Sequence, residues 1–212
     1  MSKQPDPRVS VLADDLLDLY TGLLIPFMKV RRDMPFPTEP ERDETDGEHA
    51  FTLAMLALTI NEQLTLGLDN GKIAQYALIH DLVEAHAGDV SARADQSKLN
   101  TKARREHEAF VIIKKRYELT APWIPELIES YEARADDEAR FIYAADKFMG
   151  ALTQIANDGA RWSDIHPSAD AYRKVVNRLR DKALAFPALL ELFDRIHDEL
   201  DERRLQYVKD GK

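Results

Sequence analysis

Four side chains in this sequence have the types and spacing to do chemistry: His49, the adjacent pair His80-Asp81, and Asp146. The pair sits inside Tyr76-Ala77-Leu78-Ile79-His80-Asp81-Leu82-Val83. Asp146 sits inside Phe141-Ile142-Tyr143-Ala144-Ala145-Asp146-Lys147-Phe148-Met149, and His49 precedes a run of core-like residues. A carboxylate in such apolar surroundings needs a cation, a hydrogen-bond network or a proton. Singly, each has an ordinary explanation. A lone histidine near a helix start is more often packed or on the surface, and a lone aspartate is usually solvated or paired with a lysine. Lys147 adjoins Asp146, although neighbours on a helix point apart. Together, two imidazoles and two carboxylates form a nitrogen and oxygen donor set suited to one divalent ion, Mn²⁺, Co²⁺, Mg²⁺, Fe²⁺ or Zn²⁺. The sequence contains no cysteine, so thiolate metal sites, disulfides and cysteine nucleophiles are excluded.

The elements that must position these residues read as helices. Val11, Leu12, Leu16, Leu19, Leu23 and Leu24 recur at helical spacing and predict a first helix ending near Pro26. Residues 31–46 carry Pro35, Pro37 and Pro40 among many charges and read as a loop. Thr45-Asp46-Gly47-Glu48 has the form of a capping box opening a helix through Ile60. An apolar helix follows from Ile73 to about His86 and ends at Gly88. Further helices are expected over 101–118, 122–133, 136–156, 168–183 and 187–207. Convincing period-2 strands are missing. The expected fold is a single all-α domain of seven or eight helices, with a core over about 20–160 and covering helices over 168–207.

Length and charge agree. The chain has 212 residues, 44% hydrophobic and 32% charged, enough for one domain with a real core. Its net charge of −9 argues against broad binding to a nucleic-acid backbone, but not against a small phosphate ester held by a cation or a local arginine. No run is long enough to span a bilayer, and Met1–Pro7 lacks the apolar core of a signal peptide, so a cytoplasmic location is expected.

The order His, then His-Asp, then Asp, on three successive principal helices, resembles the HD-domain phosphohydrolases over roughly residues 20–160. The stretch His80-Asp81-Leu82-Val83-Glu84-Ala85-His86-Ala87-Gly88-Asp89-Val90 is similar to the signature of the 5'-deoxynucleotidase branch, which carries a glutamate three positions after the pair and a Gly-Asp beyond it. Glu48-His49 resembles the Glu-His at the first ligand of those enzymes. The resemblance implies that His49, His80, Asp81 and Asp146 hold the metal, and that Glu84 and Asp89 share acid–base roles in an order left open. It implies a homodimer, and an arginine upstream of His49 that binds phosphate. Arg32 is the best counterpart, with Arg31 or Arg42 as alternatives. The loop departs from the pattern, since Asp33 stands where those nucleotidases carry an aromatic residue.

On a helix, Asp81 and Glu84 emerge on one face, so Glu84 can reach water on a metal held by Asp81 without being a ligand. Asp89, just past Gly88, can fold back over the site. Two-metal relatives supply extra histidines; His107 lies in the charged run Arg104-Arg105-Glu106-His107-Glu108 and His86 near a helix end, which favours one metal. His166 and His197 read as surface residues. The implied reaction is hydrolysis of a nucleoside 5'-monophosphate, with deoxynucleotides foremost. The alternatives are another phosphoester (a cyclic nucleotide, a nucleoside triphosphate or an alarmone), or a non-catalytic site that binds metal or nucleotide for regulation. Glu84 and Asp89 argue against the last, because a purely structural site needs neither.

Overall fold

A computed structural model describes residues 7–91, 94, 96–166, 168–209 and 211; apart from Pro7, the amino-terminal segment weighed as a signal peptide lies outside them. The first helix, α1 (Pro7–Leu19), does not stop at Pro26. A single π turn (Tyr20–Leu24) carries it into α2 (Ile25–Lys29). The amide of Ile25 reaches back to the carbonyl of Tyr20, and Pro26 sits in the first turn of α2, where a missing amide costs little. Leu23 is buried, but Leu12 and Leu16 are exposed, so helical periodicity here did not mark the core.

Residues 31–45 are a hairpin and not a loop. β1 (Arg31–Phe36) pairs antiparallel with β2 (Glu39–Thr45) in an irregular register. Proline is tolerated because both strands of a two-stranded ribbon are edges. Side-chain bonds hold the hairpin in place of an apolar face. The Arg42 guanidinium grips both oxygens of Glu48 at 3.0 and 2.9 Å and stacks 3.8 Å over Phe36. Arg161 reaches Asp43 at 2.6 Å, and Gln154 donates to the Met34 sulfur at 3.1 Å.

Helix α3 (Asp46–Gln63) opens at the capping box the sequence predicts: the Thr45 hydroxyl accepts from the Glu48 amide at 3.2 Å, and the Glu48 carboxylate accepts from the Thr45 amide at 2.9 Å. Helix α4 (Asn70–Ile79) is central. It buries Ile73, Tyr76, Ala77 and Ile79 and packs against α3, α7 (Trp123–Glu132) and α8 (Asp137–Ala145).

Two helices expected to be continuous are interrupted. After α4 the chain tightens through 80–83, where amides bond three residues back (Leu82 to Ile79 at 2.9 Å, Glu84 to Asp81 at 2.8 Å), before the short α5 (Glu84–Ala87). Gly88 ends it at φ 71°, a conformation that favours glycine. After α8, one 3₁₀ turn (Asp146–Phe148) leads into α9 (Met149–Ala156). Both narrowings fall on candidate ligand positions.

Helix α6 (Gln96–Tyr117) packs on α5 and α7. A short α10 (Trp162–Ile165), not foreseen, precedes α11 (Ala169–Ala183), whose N-cap Ser168 accepts from Ala171. A 3₁₀ turn (Pro187–Leu189) and α12 (Leu190–Lys209) complete the fold; α11 lies against α8, and α12 against α9. The all-α expectation holds, with one small hairpin added. The main core gathers Leu23, Leu53, Ile73, Phe141 and Ile142, and a second cluster joins Ala151, Trp162, Tyr172, Leu200 and Tyr207. Among the described residues, no helix is long and apolar enough to cross a membrane.

Asp136 ties α8 to α4. Its carboxylate accepts from the Ala139 amide at 2.9 Å, and from the Tyr76 hydroxyl and the Lys72 ammonium at 3.0 Å each. Burial works against its ionisation, but these bonds prevail and lower its pKa. Asp136→Ala is expected to cost about 2 kcal/mol in urea denaturation, and Asp136→Asn, which keeps the cap, considerably less. A depressed pKa stabilises fully above the unfolded value of about 3.9 and is lost as pH falls below it, so wild type and Asp136→Ala should converge in acid.

Candidate metal centre and active site

His49 lies in the first turn of α3 and is 2% exposed; His80 follows the last residue of α4 and is 4% exposed. Nδ1 of His80 donates to the Ala77 carbonyl at 2.8 Å, so a neutral ring carries its lone pair on Nε2. That atom is buried and lies 3.0 Å from Asp81 Oδ2, yet no hydrogen bond satisfies it. An imidazole held by a backbone carbonyl, with its other nitrogen unpaired, is arranged as metal-binding histidines are. One donor atom from each of His49, His80 and Asp81 lies within 4.8 Å of the others. Asp146 joins through its Oδ1, 2.9 Å from His49 Nε2. His49, His80 and Asp81 therefore could hold a divalent ion, with Asp146 beside His49.

A second group shares Asp81. Carboxylate oxygens of Asp46, Asp81 and Glu84 also lie within 4.8 Å of one another. The 3₁₀-like bonds through 80–86 account for the close approach of Asp81 and Glu84, because at three residues per turn positions i and i+3 eclipse. From β1, Arg32 reaches among these acids, with Nη1 2.8 Å from Asp81 and 3.1 Å from Asp46, and Nε 3.8 Å from Glu44. Lys102 on α6 lies 3.0 Å from Glu84 Oε1, while Glu84 Oε2 and Asp46 Oδ2 are buried without a partner.

The charges set one another. Burial opposes ionisation of Asp81, but His80 and Arg32 hold its carboxyl well below the usual range; Asp146 is depressed too, against burial, by Lys147 and His49. Burial and Arg32 disfavour protonated His49, yet its bonds to Asp146 and Glu44 win and raise its pKa. Burial pushes Asp46 up to about 6, with Arg32 opposing and Asp81 adding to the rise. Burial and the Asp81 charge push Glu84 up to about 10, against the pull of Lys102. Depressed and raised carboxyls side by side are the pattern of a site that divides ligand and proton-transfer roles.

Arg32, His49, Asp81, Glu84, Asp89 and Asp146 line one cavity of about 240 Å³. Arg31 and Arg42 are not among its lining residues: Arg31 donates to the Asp43 carbonyl at 2.8 Å, and Arg42 is spent on Glu39 and Glu48. His107 is exposed, as expected, and so is His86 near its helix end. His197 is not a surface residue. It is buried, stacks on Phe193 and lines the cavity, as does half-buried His166. The sequence reading missed Asp46, Glu44, Lys102 and Lys182. Asp46 was hidden by its place in a capping box, where an acidic residue already suits the helix dipole.

Residues 29–186 match the HD domain family. The human protein 5'-deoxynucleotidase HDDC2 is 32% identical over 113 residues, which cover 50% of this chain and 51% of that protein. The 5'-deoxynucleotidase hdd1 of Schizosaccharomyces pombe is 29% identical over 113 residues, covering 51% and 55%. The chain thus spans about half the length of these relatives. The crystal structure of a predicted metal-dependent phosphohydrolase from Magnetospirillum magnetotacticum superposes with a TM-score of 0.72 at 26% identity, covering 96% of this chain and 97% of that one.

Arg32→Met leaves Asp46, Asp81 and Glu44 without their shared guanidinium. In chelator-treated protein the substitution is expected to cost about 3 kcal/mol in denaturant unfolding, and adding Asp46→Asn should recover part of that loss.

Proposed function

The chain belongs to the HD domain family, and on that premise we propose that it is a metal-dependent phosphomonoesterase acting on nucleoside 5'-monophosphates, deoxynucleotides foremost. The observation that carries this reading is the cavity in which His49, Asp81 and Asp146 face a guanidinium, Arg32, and a buried carboxyl, Glu84, with a His80 donor atom within 4.8 Å of those of His49 and Asp81. The names of the 5'-deoxynucleotidase relatives support the substrate class.

In this reading His49, His80, Asp81 and Asp146 hold one divalent ion among Mn²⁺, Co²⁺, Mg²⁺, Fe²⁺ and Zn²⁺. Such an ion, when bound, lowers the pKa of its water and offsets charge on the phosphoryl oxygens. Arg32 turns its planar, permanently charged group toward the substrate phosphate, a role its place among the acids already prepares. Lys147 and Lys182, which line the same cavity, add positive charge at the phosphate end. Glu84 would take a proton from the attacking water once a bound cation offsets the burial and the Asp81 charge that otherwise keep its carboxyl protonated. Asp89, placed over the cavity by the left-handed turn at Gly88, returns a proton to the leaving sugar oxygen. Residues 20–160 form the catalytic core and 168–207 close it, within one domain. The active form is a homodimer, for which the exposed Leu12, Leu16 and Tyr20 offer apolar surface.

Metal content after dialysis and phosphate release from the four deoxynucleoside monophosphates test the assignment together. Asp81→Ala should lose both metal and turnover. Glu84→Ala should retain metal and lose at least about a hundredfold in kcat; full activity of Glu84→Ala on every phosphoester tried would overturn the role. Sedimentation should give twice the 24.2 kDa chain mass.

A further inference from the structure

The cavity does not end at the charged cluster. It continues between β1, α9, α11 and α12, where Met34, Val176 and Leu200 supply apolar wall. Two buried polar atoms in this part have no partner: Oε1 of Gln154, a residue 1% exposed, and the hydroxyl of Tyr172, 3% exposed. Neither side chain is free to turn toward water. Gln154 is tethered through Nε2 to the Met34 sulfur at 3.1 Å, and the Tyr172 ring packs 5.3 Å from Trp162 and 5.1 Å from His166. His197, on the same wall, donates from Nδ1 to the Phe193 carbonyl at 3.0 Å, which leaves Nε2 of the neutral ring as an acceptor.

Unpaired buried polar groups are few in folded proteins, and two lining one cavity call for a ligand that pairs with them. The chemistry narrows its class. An aliphatic chain would fill the apolar wall and leave the carboxamide and phenol unsatisfied. A sugar would pair them and waste the apolar wall. A flat heterocycle does both, with apolar faces and hydrogen-bonding groups confined to its edge. The geometry points to a nucleobase subsite, with Gln154 and Tyr172 reading the edge of the base while the phosphate lies at Arg32. The identity of the ligand's phosphate end rests on the nucleotidase reading; the subsite's own residues do not.

Deoxynucleosides, which lack the phosphate, probe the subsite alone. Trp162 touches Tyr172, so its fluorescence in full-length protein carrying Trp123→Phe reports their binding. At least one deoxynucleoside should bind saturably, and Gln154→Met and Tyr172→Phe should each weaken it about tenfold, the size of one lost hydrogen bond. The ratio of kcat/KM on the matching deoxynucleotide to that on deoxyribose 5-phosphate should fall by a similar factor. Tyr172→Phe removes an atom that has no partner, so failure to fold cannot mimic the effect. The subsite is overturned if no deoxynucleoside binds, or if both variants bind as wild type does. Gln154-dependent nucleoside binding without phosphate release would uphold the subsite and sink the nucleotidase reading. Phosphate release with a ratio that neither variant moves would do the reverse.

Discussion

Too many carboxylates share one interior volume, and the rest of the molecule is arranged around that fact. Oxygens of Asp46, Asp81 and Glu84 lie within 4.8 Å of one another, with Asp146 and Glu44 on either side of His49. Two unit charges at that separation repel by about 3 kcal/mol even at an effective dielectric constant of about 20. The cluster persists because several layers of the fold contribute a cation. Arg32 comes from the hairpin, Lys102 from α6 and Lys147 from the turn after α8. Proton uptake relieves what these leave, which is why the carboxyls divide into a strongly depressed group and a raised one. A site under such tension favours any small cation that enters it, and metal affinity is therefore a property of the whole bundle.

The donors reach this volume where helices narrow. His80 and Asp81 stand where α4 gives way to bonds three residues back, and Asp146 starts a 3₁₀ turn. An unbroken α-helix sets residues three apart about 60° away from each other, so Asp81 and Glu84 would diverge in one. Tightening to three residues per turn brings Asp81 and Glu84 onto a common line, and it frees carbonyls such as Ala77 to hold an imidazole. Thr45 and Glu48 perform the matching task at the other end, fixing where α3 begins and hence where His49 faces.

Much of this was legible in the sequence. The capping box, the helical class and the polar residues set in apolar runs are local signals, and local signals survive in a one-dimensional reading. The breaks at His80 and Asp146 were not legible, because the flanking periodicity is helical on both sides. The hairpin was hidden for the opposite reason: its prolines and charges imitate a loop, and its partners, Arg161, Gln154 and Asn157, lie more than a hundred residues away. Gln154 and His197 carried no signal at all, since a glutamine or histidine on a helix gains meaning only from the cavity it borders.

Strand β1 is an object with a fixed pitch. Its exposure alternates from Arg31 to Met34, with Arg32 and Met34 more buried than Arg31 and Asp33. Residues two apart on a strand stand about 6.6 Å apart on one face. One short piece of backbone therefore presents a guanidinium among the buried acids and, one strand repeat away, an apolar thioether docked on Gln154. The strand works as a ruler between the charged and the apolar parts of the cavity. Its graduation cannot be stretched by side-chain replacement, and inserting a single residue would turn one of the two marks outward to solvent.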